Sequence, residues 1–315
     1  MALSESQLAE LEAAAVEMAR HAGRLLLDRF GQPVAVEYKS ERNRDPVTAA
    51  DRESDEYLKQ EISRRFPGHG ILSEESPDAG DSASDVVWVL DPLDGTTNYL
   101  NGMPAFGVSV AVVERGRPVA GAMFVPSIHC PEGSIYHARV GGGAFRDDHP
   151  IHVAESTRPA NGRLVVLPGY FWRGYLVRRE LGRGVGEIRT LGSIVYEMGL
   201  VAQGVAQYSL LARPHAWDVA AGVVLVREAG GVVLTRPPGR RAWVEMEAFP
   251  LARAADGEWM QSLRRWQRPL IIGNRETAWF VARGIRRRWR LLWRLSRLLG
   301  RWMKSPPQQQ SESRR

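Results

Sequence analysis

The segment Trp88-Val-Leu-Asp-Pro-Leu-Asp-Gly-Thr-Thr-Asn98 holds the residues best suited to chemistry. Asp91 and Asp94 lie three residues apart, and Pro92 restricts the backbone between them. If a strand ends at Asp91 and the chain bends there, both carboxylates can face one point. Hard divalent cations such as Mg²⁺ prefer oxygen ligands, and the free carbonyl of Leu93 adds another oxygen. The spacing therefore predicts a metal site.

The residues that follow predict a phosphate site beside this metal. Gly95 and Thr96 begin what reads as a helix, and the unpaired amides of a first helical turn carry partial positive charge. The alternative interpretation is an ordinary turn, because Asp, Pro and Gly all favour turns.

Two more acidic segments could join the site. Glu74 and Glu75 follow a short apolar run, and only one of two successive extended residues can face a given point. Asp218 stands at the start of an alanine-rich helix pattern. Taken alone, the glutamates read as a solvated loop and Asp218 as a helix N-cap.

Together these three segments resemble the signatures of the inositol monophosphatase-like, lithium-sensitive phosphatases, in the same order and with similar spacing. The segments 45–51 and 191–193 resemble two further motifs of that family, so the resemblance spans roughly residues 5–275. It implies a layered α-β-α-β-α sandwich of the inositol monophosphatase and fructose-1,6-bisphosphatase type, an α+β half followed by an α/β half. The metal site would lie between the halves.

The resemblance also implies a set of metal ligands for two or three Mg²⁺ ions. Asp91 would bridge two of the ions. Four carboxylates grouped without cations would repel one another, and cations would also offset the charge of a phosphate monoester dianion. The implied ligands are Glu74, Asp91, Asp94, Asp218 and the carbonyl of Leu93.

Catalytic and substrate roles follow from the same resemblance. Thr96 would position a water that attacks phosphorus in line, Glu74 would favour its deprotonation, and Asp51 would support a weaker ion site near Lys39. Gly95 and Thr96 would bind the phosphate. The residues implied in substrate contact are Gly192, Ser193 and Arg213.

The match fails at the position that normally reads a sugar hydroxyl. Seven residues before Asp218 the family usually has an acid, and this chain has Leu211. Arg213 and His215 could instead meet a second anionic group, or they could simply be exposed. The expected reaction is Mg²⁺-dependent hydrolysis of a small phosphate monoester, inositol-phosphate-like or a sugar phosphate. The alternatives are fructose 1,6-bisphosphate, 3′-phosphoadenosine 5′-phosphate, or a non-catalytic relative that binds membranes or polyanions.

Composition and periodicity predict the frame for these residues. The chain has 315 residues, 44% of them hydrophobic, and one cysteine, Cys130, which favours a globular cytoplasmic protein without disulfides. Helices are expected over the first thirty residues and from about 48 to 66, a strand over 86–90, a hairpin over 107–125, and alternating strands and helices from 164 to 234. The expected halves are residues 1–153 and 154–275.

The C-terminal segment concentrates the positive charge. Residues 283–315 hold eleven of the 42 basic residues and one of the 36 acidic ones, which leaves 31 basic and 35 acidic residues elsewhere. An apolar stripe predicts a basic amphipathic helix over 276–304 and a disordered tail over 305–315. This helix could bind an anionic membrane at its inner face, dock on the body, or pair with another subunit. Homodimers are common in the family, and no specific nucleic-acid partner is expected.

Overall fold

The computed structural model describes residues 3–32, 36–38, 46–127, 130–240, 242–250 and 258–288. Lys39 and residues 289–315 lie outside them. Within the described part, the helices are α1 (Glu5–Arg29), α2 (Ala49–Arg65), α3 (Thr96–Leu100), α4 (Phe171–Gly174), α5 (Arg179–Gly182), α6 (Ile194–Ala202), α7 (Ala216–Glu228), α8 (Glu258–Arg264) and α9 (Arg275–Gly284).

The larger sheet is formed by the first half of the chain. Its strands occur in the order β10-β9-β8-β7-β6-β5-β3-β4, and only the pair β3 and β5 is parallel. The predicted hairpin is confirmed as β6 and β7. The strands are β3 (Gly70–Ser73), β4 (Ala79–Gly80), β5 (Val86–Asp94), β6 (Gly107–Glu114), β7 (Arg117–Ser127), β8 (Cys130–Arg139), β9 (Gly143–Arg146) and β10 (His149–Pro150).

The second half forms a smaller sheet in the order β13-β11-β14-β17-β15-β16, in which β11 runs parallel to both of its neighbours. Two short ribbons, β1 with β2 and β12 with β18, complete the described strands. The remaining strands are β1 (Val36–Tyr38), β2 (Pro46–Thr48), β11 (Leu164–Val166), β12 (Tyr175–Val177), β13 (Glu187–Arg189), β14 (Ala206–Leu211), β15 (Val232–Thr235), β16 (Val244–Glu245), β17 (Leu270–Gly273) and β18 (Ile285–Arg287).

Alternating side chains of the larger sheet pack against two helical layers. Trp88 and Leu90 face α1 and α2, whereas Val87 and Val89 face α6 and α7. Because α6 and α7 also pack on the smaller sheet, they form the central layer. α9 covers the far face of that sheet, so the layers run α-β-α-β-α and confirm the predicted sandwich.

Within the described residues, the predicted helix over 276–304 forms only as far as Gly284, and its continuation over 285–288 is wrong. α9 ends at Gly284, and Ile285 starts strand β18, which pairs with β12. A Cβ at Gly284 would lie 2.8 Å from Leu181, so the glycine lets the chain approach α5 closely. Ile285 is buried in the apolar cluster beneath the ribbon. The pattern of apolar residues continued through this point, but packing against α5 and β12 ended the helix.

Among the described residues, no helix combines the length and apolarity that a membrane crossing would require.

A buried ion cluster joins α1 to the larger sheet. Both carboxylate oxygens of Glu12 are bonded, one to His137 Nδ1 at 2.7 Å and one to Arg139 Nη1 at 2.6 Å. Burial alone would raise the pKa of Glu12, but hydrogen bonds and charges from His137 and Arg139 lower it. Burial opposes the charged form of His137, and its bond to Glu12 nevertheless raises its pKa.

Replacing Glu12 with Gln should lower the free energy of unfolding by about 1–3 kcal/mol, because Arg139 loses its charged partner while partly buried. Glu12 has a lowered pKa in the folded state, so its contribution is present above its unfolded pKa and is lost as pH falls through the folded value. The raised pKa of His137 makes its contribution decline as pH rises through the folded value. The free energy of unfolding, measured with urea, should therefore differ most between the variant and wild type at pH values above the pKa of Glu12 and below the folded-state pKa of His137.

Glu10→Gln, an exposed change on the same helix, is the control. Equal destabilisation by both variants would mean that the cluster does not stabilise the fold.

Candidate metal and phosphate site

Three of the predicted acids converge between the two sheets. One carboxylate oxygen each from Glu74, Asp91 and Asp218 lies within 4.8 Å of the others. Asp91 is buried, and the other two are partly buried. The residues come from the end of β3, from β5 and from the first turn of α7, so three separate elements meet at this point.

Strand alternation explains why Asp91 reaches this point. It follows Val87 and Val89 on the face of β5 that packs against the central helices. Across the sheet Asp91 pairs with Ser109, whose hydroxyl donates to the carbonyl of Trp217 at 3.1 Å. That bond holds the start of α7, and therefore Asp218, against the strand end.

The two oxygens of Asp91 have different surroundings. Oδ1 accepts a hydrogen bond from the Leu93 amide at 3.1 Å. Oδ2 is buried and has no hydrogen-bond partner within the part of the chain that the structure describes. A buried carboxylate oxygen left without a partner is costly, so this atom marks a place where a ligand is expected.

Asp94 lies beside the three converging acids and faces the start of α6. Its Oδ2 accepts hydrogen bonds from Ser193 Oγ at 2.5 Å and from the Val195 amide at 2.7 Å. Burial raises the pKa of Asp94 to about 6 against these hydrogen bonds. The predicted acid is thus held by the helix N-terminus.

Asp91 and Asp218 also have raised pKa values. Burial, followed by the charges of Glu74, Asp94 and Asp218, raises the pKa of Asp91 well above its usual range. Burial and the charges of Asp94 and Glu74 do the same for Asp218, although the His215 amide donates to its Oδ2 at 2.8 Å. The site concentrates negative charge that the surrounding hydrogen bonds do not offset.

Thr96 and Asp51 form a hydrogen-bonded pair next to the acids. Thr96 Oγ1 donates to the carbonyl of Leu93 at 3.1 Å and lies 3.4 Å from Asp51 Oδ1. Asp51 is fully buried and caps α2, where its Oδ2 accepts from the Thr48 amide at 2.8 Å. Thr96 therefore orients the Leu93 carbonyl, the oxygen predicted as a metal ligand.

Gly95 makes the tight turn that the predicted phosphate site needs. Its φ is +85°, and a Cβ would lie 3.0 Å from both the Ala105 carbonyl and Ser193 Cβ. The following helix α3 starts at Thr96 but is only five residues long.

The predicted substrate residues are placed differently from one another. Ser193 is fully buried, caps α6 and donates to Asp94; its contact with substrate stays a prediction. Gly192, with φ of +80°, is exposed in front of it, and Arg213 is exposed at the end of β14. Leu211 is buried in the core between the layers.

Two functional neighbours were missed from the sequence. Glu197 in α6 is buried and accepts from the Leu191 amide at 3.4 Å. Burial and the charge of Asp94 raise its pKa to about 7. Its position as the one acid in an apolar helix was a signal that could have been used. Arg264 in α8 is the second residue, and no pattern in the sequence pointed to it.

A comparison with known families matches residues 7–265 to the model of the inositol monophosphatase family. The chain belongs to the inositol monophosphatase family. The predicted resemblance is therefore confirmed over most of the chain.

Individual members of the family carry different names. Phosphatase IMPL1, a chloroplast protein of Arabidopsis thaliana, is 35% identical over 236 residues, which cover 71% of this chain and 62% of that protein. The chain thus spans less than two thirds of this relative. An inositol-1-monophosphatase of Mesorhizobium japonicum is 35% identical over 69% of this chain and 82% of its own length. A histidinol-phosphatase of Chlorobaculum parvum is 32% identical over 77% and 92%.

Solved structures of the family share the fold. The extragenic suppressor protein suhB of Bartonella henselae superposes with a TM-score of 0.67 at 27% identity, covering 86% of this chain and 96% of that one.

The acidic cluster of this family member fits a metal ion. Glu74, Asp91 and Asp218 supply oxygen ligands only, and the buried Oδ2 of Asp91 lacks a partner among the described residues. Oxygen-only sets of this kind suit hard cations. A cation would also offset the repulsion that, with burial, raises the pKa values of Asp91 and Asp218.

Arg264 fastens the segments that carry two of these acids. Its Nη2 donates to the carbonyl oxygens of Ser73 at 2.8 Å and Ser76 at 3.2 Å, and it forms an ion pair with Asp78. Its guanidinium carbon lies 5.8 Å from the centre of the Trp217 ring. One side chain therefore joins the loop of Glu74 to the residue that precedes Asp218.

Replacing Arg264 with Ala should weaken Mg²⁺ binding by about 10-fold or more, because residues that orient metal ligands contribute on that scale. Calorimetric titration of the metal-free protein measures this directly. Arg264→Lys should recover only part of the affinity, because an ammonium group cannot reproduce the planar contacts. Arg265→Ala, at the exposed neighbouring position, should bind as wild type does; equal affinities for all four proteins would refute this role.

Replacing Asp91 with Asn should remove the stabilisation by metal without lowering the stability of the metal-free protein. Without divalent ions the variant should be as stable as wild type or more stable. Asn keeps the Oδ1 acceptor, and it removes a buried carboxylate that the neighbouring acids repel. Added Mg²⁺ should stabilise wild type by about 2.7 kcal/mol at 100 times the dissociation constant, but it should not stabilise the Asp91 variant. Thermal melts with chelator and with Mg²⁺ test this, and the exposed Asp148→Asn is the control. Equal Mg²⁺ stabilisation of the Asp91 variant would contradict the assignment.

Proposed function

We propose that this protein hydrolyses a small phosphate monoester with Mg²⁺ held by its acidic cluster. The observation that carries the proposal is the buried Oδ2 of Asp91, which lies close to the carboxylates of Glu74 and Asp218 and has no hydrogen-bond partner among the described residues. These three residues, with Asp94 and the Leu93 carbonyl, would hold two or three ions. When bound, the ions neutralise phosphate charge and make water a better nucleophile at neutral pH.

The chain's own groups then supply position and proton transfer. Thr96 is held between the Leu93 carbonyl and Asp51, so its hydroxyl oxygen is fixed and can orient an attacking water. Glu74, a partly buried acid of the cluster, would accept the proton of that water. The water oxygen attacks phosphorus, the ester P–O bond breaks, and the leaving alkoxide takes a proton from solvent.

The phosphate itself would be bound by backbone amides. Gly95 turns the chain in the left-handed region, and the amides of the first turn of α3 follow directly. Donors of this kind suit the oxygens of a transferring phosphoryl group. Asp51 supports the same turn through Thr96 and would also lie near the weaker ion site.

The alcohol part of the substrate is less defined. Leu211 is buried in the core, so the acid that would read a hydroxyl at this position is missing. Loss of such an acceptor changes selectivity strongly. Exposed Arg213 is a candidate contact for a second anionic group, and Gly192 leaves room in front of α6. A bisphosphate such as fructose 1,6-bisphosphate or 3′-phosphoadenosine 5′-phosphate is therefore the alternative to an inositol-phosphate-like monoester.

Phosphate release from a substrate panel tests the function. The panel should contain myo-inositol 1-phosphate, fructose 1,6-bisphosphate and 3′-phosphoadenosine 5′-phosphate. It should also contain histidinol phosphate, because one relative is named a histidinol-phosphatase. We expect release with Mg²⁺ and none with chelator.

Arg213→Gln should raise KM selectively for substrates with a second anionic group.

Thr96→Ala should lower kcat by about 100-fold, the scale of a lost proton-transfer or water-orienting contact. The neighbouring Thr97→Ala is the matched control, because Thr97 is exposed.

Asp94→Asn should abolish measurable release of phosphate. If wild type and Asp94→Asn released phosphate at equal rates, or if no substrate were hydrolysed with any divalent ion, the protein would be a non-catalytic member of the fold.

A further inference from the structure

Three large apolar side chains are exposed close together on α4 and β12. Tyr170, Trp172 and Leu176 have 45%, 54% and 49% of their surface exposed, within seven consecutive residues. Single exposed apolar residues are ordinary, but a cluster of them indicates an interaction surface.

The three exposed side chains lie directly over the core of the smaller sheet. Phe171 and Tyr175, which alternate with the exposed residues, are buried in the apolar cluster that also contains Ile285. The Phe171 ring lies 5.1 Å from the Trp172 ring and 5.6 Å from the Tyr175 ring. The exposed side chains are therefore held outward by a packed layer.

Arginines flank these side chains on both strands of the ribbon. Leu176 pairs with Arg286, and the Arg288 amide donates to the Gly174 carbonyl at 2.9 Å. Segments 170–183 and 284–288 together contain seven arginines and one acid, Glu180. All seven are exposed. We call Tyr170, Trp172 and Leu176 with these arginines the arginine–tryptophan face; its arginines are Arg173, Arg178, Arg179, Arg183, Arg286, Arg287 and Arg288.

This excess of positive charge is local. Residues 1–282 as a whole carry 31 basic and 35 acidic residues, even with the four arginines of segment 170–183 included. The described structure ends at Arg288, within the face. The sequence that continues from there, 289–315, adds seven basic residues and one acid, together with Trp289, Trp293 and Trp302. Positive charge and tryptophan are therefore continuous from the face into the segment that follows it.

We propose that the arginine–tryptophan face binds an anionic lipid surface. Tryptophan and leucine side chains partition into the boundary between headgroups and acyl chains, and arginines pair with lipid phosphates. Each basic residue near such a surface contributes about 1 kcal/mol, or about fivefold in binding.

Other occupants fit the charges less well. The chain's own C-terminal segment has the same sign of charge as the face and would be repelled by it. A second copy meeting this face symmetrically would place the same arginines opposite each other. A nucleic acid would pair with the arginines, but it offers no apolar layer for Leu176.

Co-sedimentation of the full chain with lipid vesicles tests the proposal. We expect wild type to pellet with vesicles that contain phosphatidylglycerol and to remain in solution with pure phosphatidylcholine. Trp172→Ser combined with Leu176→Ser should lower the partition coefficient by about tenfold, because two apolar side chains no longer enter the interface. Arg286→Gln combined with Arg287→Gln should lower it by about 25-fold, and added salt should shrink that difference.

The control is Val205→Ser, an exposed apolar residue outside the face. It should pellet as wild type does, and all variants should keep the wild-type melting temperature. Wild-type pelleting of both the Trp172/Leu176 variant and the Arg286/Arg287 variant would place the binding outside the face and overturn the proposal. A change in mass by light scattering without a change in pelleting would assign the face to a second copy, and binding to an RNA homopolymer but not to vesicles would assign it to nucleic acid. Either result overturns the lipid proposal.

Discussion

Repulsion among carboxylates that the fold holds close together is the constraint on which the site depends. Asp91 is buried, and Glu74, Asp94 and Asp218 surround it so closely that burial and mutual charge raise its pKa. Such a group is stable only where positive charge or donors offset it. The two helices of the central layer supply part of that offset. α6 offers Ser193 and the Val195 amide to Asp94, and the amide of His215, just before α7, binds Asp218. The positive ends of both helix dipoles thus point at the acids.

The sandwich is what allows these elements to meet. β5 carries Asp91 to the boundary between the layers, and the bond from Ser109 to the Trp217 carbonyl fixes α7 there. Arg264, from α8, then connects the Glu74 loop to the same tryptophan. Carboxylates that would separate in a looser structure are therefore held within reach of one another. A cation that binds them gains affinity from this prior arrangement, because the protein has already overcome the repulsion during folding.

Local patterns predicted much of the fold and the acids of the site. The apolar run before Asp91 predicted a strand ending in a carboxylate, and the spacing of Leu8, Leu11 and Ala15 predicted α1. The partners of those acids could not be predicted in the same way. Arg264 and Ser73 are 191 residues apart, and no periodicity connects them. The bond from the Ser193 hydroxyl to Asp94 also joins residues 99 positions apart, and no sequence pattern indicated it. The helix predicted beyond Gly284 failed for a related reason, since contact with Leu181 and pairing with β12 outweigh the helical pattern.

Crystals grown with Mn²⁺, which has a strong anomalous signal and takes the same oxygen ligands as Mg²⁺, provide the most direct measurement of the central claim. We predict an anomalous peak about 2.1 Å from Oδ2 of Asp91, with Glu74 or Asp218 among its other ligands. A map in which Mn²⁺ occupies other sites while this cluster stays empty would contradict a metal-dependent reaction at Asp91.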